Sequence, residues 1–313
     1  INQNTIRYHS DVGINISSTD IANRSSTIKI TNNNISNVSG GIKYSGFGTA
    51  IVTGNAVETV SGVGIHIATP DVATVSNNTV EGCDTGINVS RDWWFNFHDY
   101  GDITNAPGDK WAPDIIISDN TVRNNASKGI SVKHMLRCTG NVISGNEVGF
   151  YGNGSGAFEG NHVLNNSGWG IEVNGSHAIK DNVISGNTGG AISYTAYFDG
   201  WEPYEARASQ VVSGNIIYNN TGSPVIYFYA KKRISYSHHD WLVFPMDHGL
   251  NYQFDQEDVV KVGQSNRYLV PNSDFISNTI VGNSGSPTVL VKQSPPSTGG
   301  TNPETSNLVF KNN

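Results

Sequence analysis

One tripeptide pattern limits what this chain can become. Asn-x-(Ile/Val) occurs at Asn4-Thr5-Ile6, Asn33-Asn34-Ile35, Asn55-Ala56-Val57, Asn78-Thr79-Val80 and Asn120-Thr121-Val122. It continues at Asn141-Val142-Ile143, Asn161-His162-Val163, Asn182-Val183-Ile184, Asn215-Ile216-Ile217 and Asn278-Thr279-Ile280. Uninterrupted spacings are 20 to 23 residues. Nine or ten residues after each leading Asn comes a second apolar stretch announced by Gly, as in Gly64-Ile65, Gly86-Ile87, Gly129-Ile130 and Gly170-Ile171. A third stretch precedes each Asn, as in Asp114–Ser118. Apolar residues alternate within each stretch, so each is a strand with one inward face. A unit this small cannot bury its own apolar side and must stack on neighbours about 4.8 Å away, in parallel register. The expected fold is therefore all-β: one solenoid of about ten coils, three strands to a coil. A leucine-rich repeat has a similar period but needs a Leu-rich consensus, which is missing.

The leading Asn has a structural purpose in such a fold. At a turn between strands, identical Asn side chains stack, and their amides bond to the backbone and to one another. Several also form Asn-x-Ser/Thr sequons (Asn34, Asn77, Asn125 and Asn165), matches that an Asn- and Ser-rich repeat produces by chance. Asn, Gly, Ser and Thr dominate, a composition suited to short strands and tight turns rather than helices. Only 14% of the 313 residues are charged and the net charge is −7, which excludes the basic face of a nucleic-acid binder. No run of 18 apolar residues offers a membrane span. The chain opens in mid-pattern on Ile1, so further sequence is expected before it. Of the two cysteines, Cys138 occupies a slot that other coils fill with Ile, Val or Phe and reads as a buried apolar thiol. Cys83 falls in a different turn of an earlier coil, so no disulfide between them is expected.

In these coils the sequence resembles the right-handed parallel β-helix, or pectate-lyase-like, superfamily. That group holds polysaccharide lyases, glycoside hydrolases, mannuronan epimerases and phage tailspike depolymerases. The resemblance spans nearly the whole chain. It implies the right-handed fold, a polysaccharide or oligosaccharide partner, and an extracellular, cell-surface or virion-associated location. It assigns no activity, because function lives in sites grafted onto a fold. The polygalacturonase-like motifs (Asn-x-Asp, Asp-Asp, Gly-His-Gly, Arg-x-Lys) do not occur as a set. The Asp-Pro-His motif of the epimerases and the Lys-Ser and Arg-His-Gly pieces of alginate-lyase-like β-helices are missing too. No catalytic residue is therefore carried over.

Breaks in the period point to the site instead. Asn78 to Asn120 is 42 residues, Asn182 to Asn215 is 33 and Asn215 to Asn278 is 63. Each surplus follows the Gly-Ile-type strand, so insertions at about 91–113, 194–208 and 229–273 are expected to leave one corner of a single domain. They hold five of the six tryptophans. Trp93, Trp94, Tyr197, Trp201, His239, Asp240 and Trp241 are the expected sugar-contacting residues, with Arg137 at the same edge. Packing into small satellite cores or a subunit contact is the bland alternative for any one of them.

The short-looped coils between the insertions would form a cleft floor roughly 14–19 Å wide, suited to an extended oligosaccharide. Alternation points Ser131 and Lys133, Tyr151 and Asn153, and Glu172 and Asn174 outward, with His134 and His177 near the same edge. Glycoside hydrolysis needs two carboxyls, about 5 Å or about 6.5–9.5 Å apart. Glu172 on the floor is one candidate, and Asp199, Glu202 and Glu205 in the wall are its partners. A lyase instead needs a base and something to neutralise a uronate, for which Lys133, His134, Arg137 and Tyr151 serve. Carboxylates and aromatics outnumber basic residues around this cleft, which ranks glycosidic hydrolysis ahead of elimination. The adjacent His238-His239-Asp240 run lacks further ligands at metal spacing, so no metal and no cofactor are expected. The alternative to an enzyme is a structural or adhesive β-helix: a tailspike shaft, adhesin or filament subunit that trimerises through its aromatic loops.

Overall fold

The computed structural model describes residues 1–18, 26–68, 72–90, 114–133, 137–196, 210–230, 273–284, 286–293 and 308–311. Strands pair in parallel with their counterparts one period on, and no helix occurs among the described residues. The chain is a parallel β-helix whose coils present three faces. The first face follows each leading Asn, as in Thr79–Glu81, Thr121–Arg123 and Val142–Ser144. The second carries the Gly-Ile strands, as in Val63–Ala68, Thr85–Ser90 and Lys128–Val132. The third precedes the next Asn, as in Thr49–Thr53, Val72–Ser76 and Asp114–Ser118.

The alternation expected from sequence is realised position by position. On the third face Ile30, Val52, Val75, Ile117, Cys138, Phe158, Ile179, Val212 and Phe275 stand in one register column. All of them are buried. A matching column on the second face runs Ile14, Ile42, Ile65, Ile87, Ile130, Phe150, Ile171, Ile192 and Ile226. Aromatic rings fill the wider places: Phe150 and Phe158 lie with centroids 4.2 Å apart, and Phe228 meets Phe275 edge-on at 5.7 Å.

Turns between the third and first faces explain the leading Asn. From Asn4 to Asn278 each ladder amide donates Nδ2–H to the Oδ1 of the next, at 2.8–3.1 Å. The same oxygen accepts the backbone N–H of the preceding Asn, as Asn141 Oδ1 does from Asn120 at 3.0 Å. Every side chain thus satisfies the backbone groups that a turn would strand in the core. The residue before each ladder Asn has a left-handed backbone, supplied by Gln3, Asn32, Gly54, Asn77, Asp119, Gly140, Gly160, Asp181, Gly214 and Ser277. At Gly54, Gly140 and Gly214 the Asn or Asp of the coil before fills the space: a Cβ on Gly140 would sit 2.5 Å from Asp119 Oδ1.

A second amide ladder, at the turn into the second face, joins Asn125, Asn146, Asn166, Asn187, Asn220 and Asn283 at 2.8–3.1 Å. Asn125 is therefore a buried ladder residue, although it begins a sequon. Cys83 heads this ladder, its backbone N–H donating to Asn125 Oδ1 at 3.0 Å. Cys83 and Cys138 are both buried free thiols at different turns. Burial pushes the Cys83 thiol up to about 12 and raises that of Cys138 further.

The corner between the second and third faces is where coils differ. Val148–Glu159 and Trp169–Lys180 are unbroken 12-residue strands that run round it, paired from Phe150↔Ile171 to Glu159↔Lys180. In other coils the second-face strand ends at matching register: Ala68 opposite Ser90, and Ala196 opposite Ala230 and then Gln293. Residues 91–113, 197–209 and 231–272 begin just past Ser90, Ala196 and Ala230, and lie outside the described residues. The second and third surpluses thus start later than the sequence suggests, since Gly190–Ala196 and Ile226–Ala230 are strands and Ser273 opens another. Tyr194, grouped with the insertion aromatics from sequence, is fully buried. Its hydroxyl donates to His177 O at 3.0 Å and accepts His177 N–H at 2.7 Å, which lets a polar tip enter the core.

Candidate functional site

The outward positions of the second face form columns that run along the solenoid. Residue by residue the central column reads Asn15, Lys43, His66, Asn88, Ser131, Tyr151, Glu172, Ser193, Tyr227 and Leu290. Beside it, two residues on in each strand, Asn153, Asn174, Thr195 and Tyr229 stand in register. Lys133 follows Val132, which pairs with Val89 and Gly152, so Lys133 stands level with Ser90 and Asn153. Tyr151, Glu172, Lys133, Asn153 and Asn174 are all partly exposed. Tyr151 and Glu172 are direct register neighbours on the two unbroken strands.

Tyr151 is held on both sides. Lys128 Nζ lies 3.6 Å from its ring centroid, a cation–π contact across one coil step. Asn174 Nδ2 donates to its hydroxyl at 3.4 Å. Further along, Tyr227 and Tyr229 project from one strand with rings near parallel, 9° apart in plane and 6.2 Å between centroids. Toward the N-terminus, His66 shares a 3.4 Å hydrogen bond with Ser90 Oγ. Burial, and then the Lys43 ammonium beside it, hold the His66 imidazole below its usual range.

Lys133, Tyr151 and Glu172 thus share the second face. Arg137 does not: it stands on the third face, in register with Ile116 and Ala157, with Nε 4.0 Å from Glu159. Alternation tells in from out, but not on which side of a corner a residue falls. His177, read from sequence as an edge residue, is buried, facing the Phe150 ring edge-on at 6.4 Å. Room for it comes from Gly152 in the coil before, where a Cβ would sit 2.9 Å from His177 Cε1. His134, Trp93, Trp94, Tyr197, Asp199, Trp201, Glu202, Glu205, His239, Asp240 and Trp241 lie outside the described residues. Lys43, His66, Lys128, Tyr227 and Tyr229 are not among the residues expected from sequence: all but Lys128 lie in coils outside the stretch of short-looped coils between the insertions. The signal was present: Lys43 and His66 each follow a Gly-Ile pair, the same slot as Glu172.

The sequence signature described as "Right handed beta helix region" matches residues 1–199, more than half of the chain. The chain belongs to that family, and its solenoid is a right-handed parallel β-helix. No curated protein sequence matches it. Among solved structures, a double mutant of the periplasmic alginate epimerase AlgG aligns with a TM-score of 0.44 at 15% identity. That alignment covers 93% of this chain and 59% of the epimerase, so the chain spans less than two thirds of that protein's length.

Proposed function

We propose that the second face binds an extended polysaccharide lying along the solenoid axis, and that the protein cleaves its glycosidic bonds outside the cytoplasm, at a cell surface or on a virion. The observation that carries this reading is the column of half-exposed polar and aromatic side chains at coil spacing, with Tyr151 clamped beside Glu172. Successive coils are about 4.8 Å apart, close to the length of one pyranose unit, so a glycan chain meets equivalent positions repeatedly. Tyrosine rings stack on sugar faces, and Asn, Ser and Glu side chains match hydroxyls.

In the hydrolytic reading Glu172 handles the proton on the glycosidic oxygen, and the second carboxyl comes from Asp199 or Glu202 in the surplus segment past Ala196. Trp93, Trp94, Tyr197, Trp201 and Trp241, with His239 and Asp240, then wall the site. A second reading, elimination, is favoured by one specific observation: the described part of this face carries Lys43, Lys128, Lys133 and Lys292 but a single carboxylate, Glu172. There Tyr151 takes the proton and Lys133, with His134, offsets the uronate charge.

Reducing-end release from a panel of soluble polysaccharides, measured beside binding by affinity electrophoresis, tests both. For hydrolysis, Glu172→Gln lowers turnover by about a hundredfold or more and leaves binding nearly intact, because shape survives while the ionisable group is lost. For elimination the products carry an ultraviolet-absorbing double bond, and Tyr151→Phe is the inactivating change. Wild-type binding without any bond cleavage overturns both and leaves an adhesive or structural β-helix.

A further inference from the structure

We infer that the ligand of this face is an anionic glycan, bearing carboxylate or sulfate groups along its length; the inference rests on the glycan-binding reading above. The chain as a whole is acidic, with net charge −7. Its second face reverses that sign. From the coil of Asn15 to that of Tyr151, the described outward positions carry Lys43, His66, Lys128 and Lys133 and no carboxylate. The acidic residues nearest in sequence, Asp11, Asp84 and Glu147, precede the outward positions Val12, Thr85 and Val148.

On the other two faces three cations have carboxylate partners. Arg123 meets Glu81 at 2.8 Å on the first face, and Glu159 stands 4.0 Å from both Arg137 and Lys180 on the third. Arg123 and Glu81, and likewise Lys180 and Glu159, are register neighbours of opposite charge, the arrangement that stabilises stacked strands. On the second face Lys43 and His66 are direct neighbours in one column, which costs stability whenever both are charged. Among the described residues no carboxylate stands within ion-pair distance of Lys43, Lys128 or Lys133. Lys43 and Lys133 are three coil steps apart, about 14 Å along the axis. A neutral glycan would stack on Tyr151 and Tyr227 but give these ammonium groups nothing that water does not. A polyanion laid along the column meets a cation at several of its units, and its own charges offset the repulsion between Lys43 and a protonated His66.

The test uses the full chain with polygalacturonate, polymannuronate and hyaluronate, each beside its carboxyl-reduced neutral form, in affinity electrophoresis at two salt concentrations. The expected result is that at least one acidic polymer binds and that reduction weakens it by about tenfold or more. Binding should also weaken at high salt. Lys43→Gln and Lys133→Gln should each weaken the acidic form roughly two- to fivefold, whereas Lys43→Arg restores it. Lys29→Gln, which removes the same charge from the third face, should change nothing; equal weakening by it would make the effect one of net charge and overturn the site. A reduced polymer that binds as well as its acidic parent overturns the anionic assignment and leaves the glycan reading standing. Binding to none of the six overturns both. Melting temperatures of the glutamine variants separate lost binding from lost folding, and a variant that melts early is replaced in the comparison by its arginine counterpart.

Discussion

Asn141→Leu puts the amide ladder to a quantitative test. Asn141 Oδ1 accepts the backbone N–H of Asn120 at 3.0 Å and its side-chain amide at 2.9 Å. Asn141 Nδ2 donates to Ile117 O at 3.0 Å, Thr139 O at 3.1 Å and Asn161 Oδ1 at 2.9 Å. Leucine has nearly the same shape but none of these bonds. Asn120 is 1% exposed, so water cannot replace the lost acceptor. Two donors of Asn120 are orphaned, each worth about 1–3 kcal/mol, and the added apolar burial returns about 1–2 kcal/mol. At the middle of these ranges the net loss is about 2–3 kcal/mol. Urea unfolding of Asn141→Leu should show it. Asn88→Leu, the same change on an outward column, should stay within about 0.5 kcal/mol of the parent. Because a solenoid transmits stability only between neighbours, hydrogen exchange should speed up first in Thr121–Arg123 and Val142–Ser144, the strands either side of the lost link. A variant that unfolds with the parent, or weakening spread evenly along the chain, would refute the account.

Gly140→Ala should cost about 1–2 kcal/mol by thermal unfolding, from its φ of +67° and the 2.5 Å approach to Asp119 Oδ1. Adding Asp119→Gly, which removes the clash but not the strain, should recover part of the loss. Cys83 and Cys138, both buried and with raised thiol pKa values, should resist alkylation at pH 8 in the folded protein and react once it is unfolded. His66 titrates below its usual range, so between its folded and unfolded pKa values the unfolded chain binds the extra proton. Its contribution is complete above about pH 6.5 and is lost as pH falls through the folded value. Imidazole NMR should show the low titration, and Lys43→Gln should move it up.

The fold was legible because one residue type is required at one place in every coil. A buried turn needs an acceptor for the next coil and donors for stranded carbonyls, and Asn supplies both, so the ladder prints its period on the sequence. The inward column from Ile30 to Phe275 follows from that period and from alternation alone. The interior was less legible where two coils compensate each other. His177 and Tyr194 look like surface residues until Gly152 is seen to vacate space for one and the His177 backbone to satisfy the other. Arg137 was placed on the wrong face because only four residues separate it from Val132, and the corner falls among them. Lys43 and His66 lie N-terminal to the first insertion, and only register shows that the column of Tyr151 and Glu172 runs on to them.

Why the site should centre on Tyr151 and Glu172, rather than elsewhere along a face that runs the length of the solenoid, follows from the corner. Reacting groups must be held to within a fraction of an ångström, and elements fixed by continuous hydrogen bonding do this better than strand ends. Most second-face strands stop at this corner. The strands carrying Tyr151 and Glu172 continue round it, paired over ten consecutive positions. Their inner sides are locked by Phe150, Phe158 and Ile171, and Tyr151 is gripped by Lys128 from one coil and Asn174 from the next. Lys43, Lys128 and Lys133 lie on the N-terminal side of this pair, and Tyr227 and Tyr229 on the other, where Lys292 stands in register with Tyr229. On the glycan-binding reading the pair sits where these two stretches meet, with Glu172 the one carboxylate described on the face.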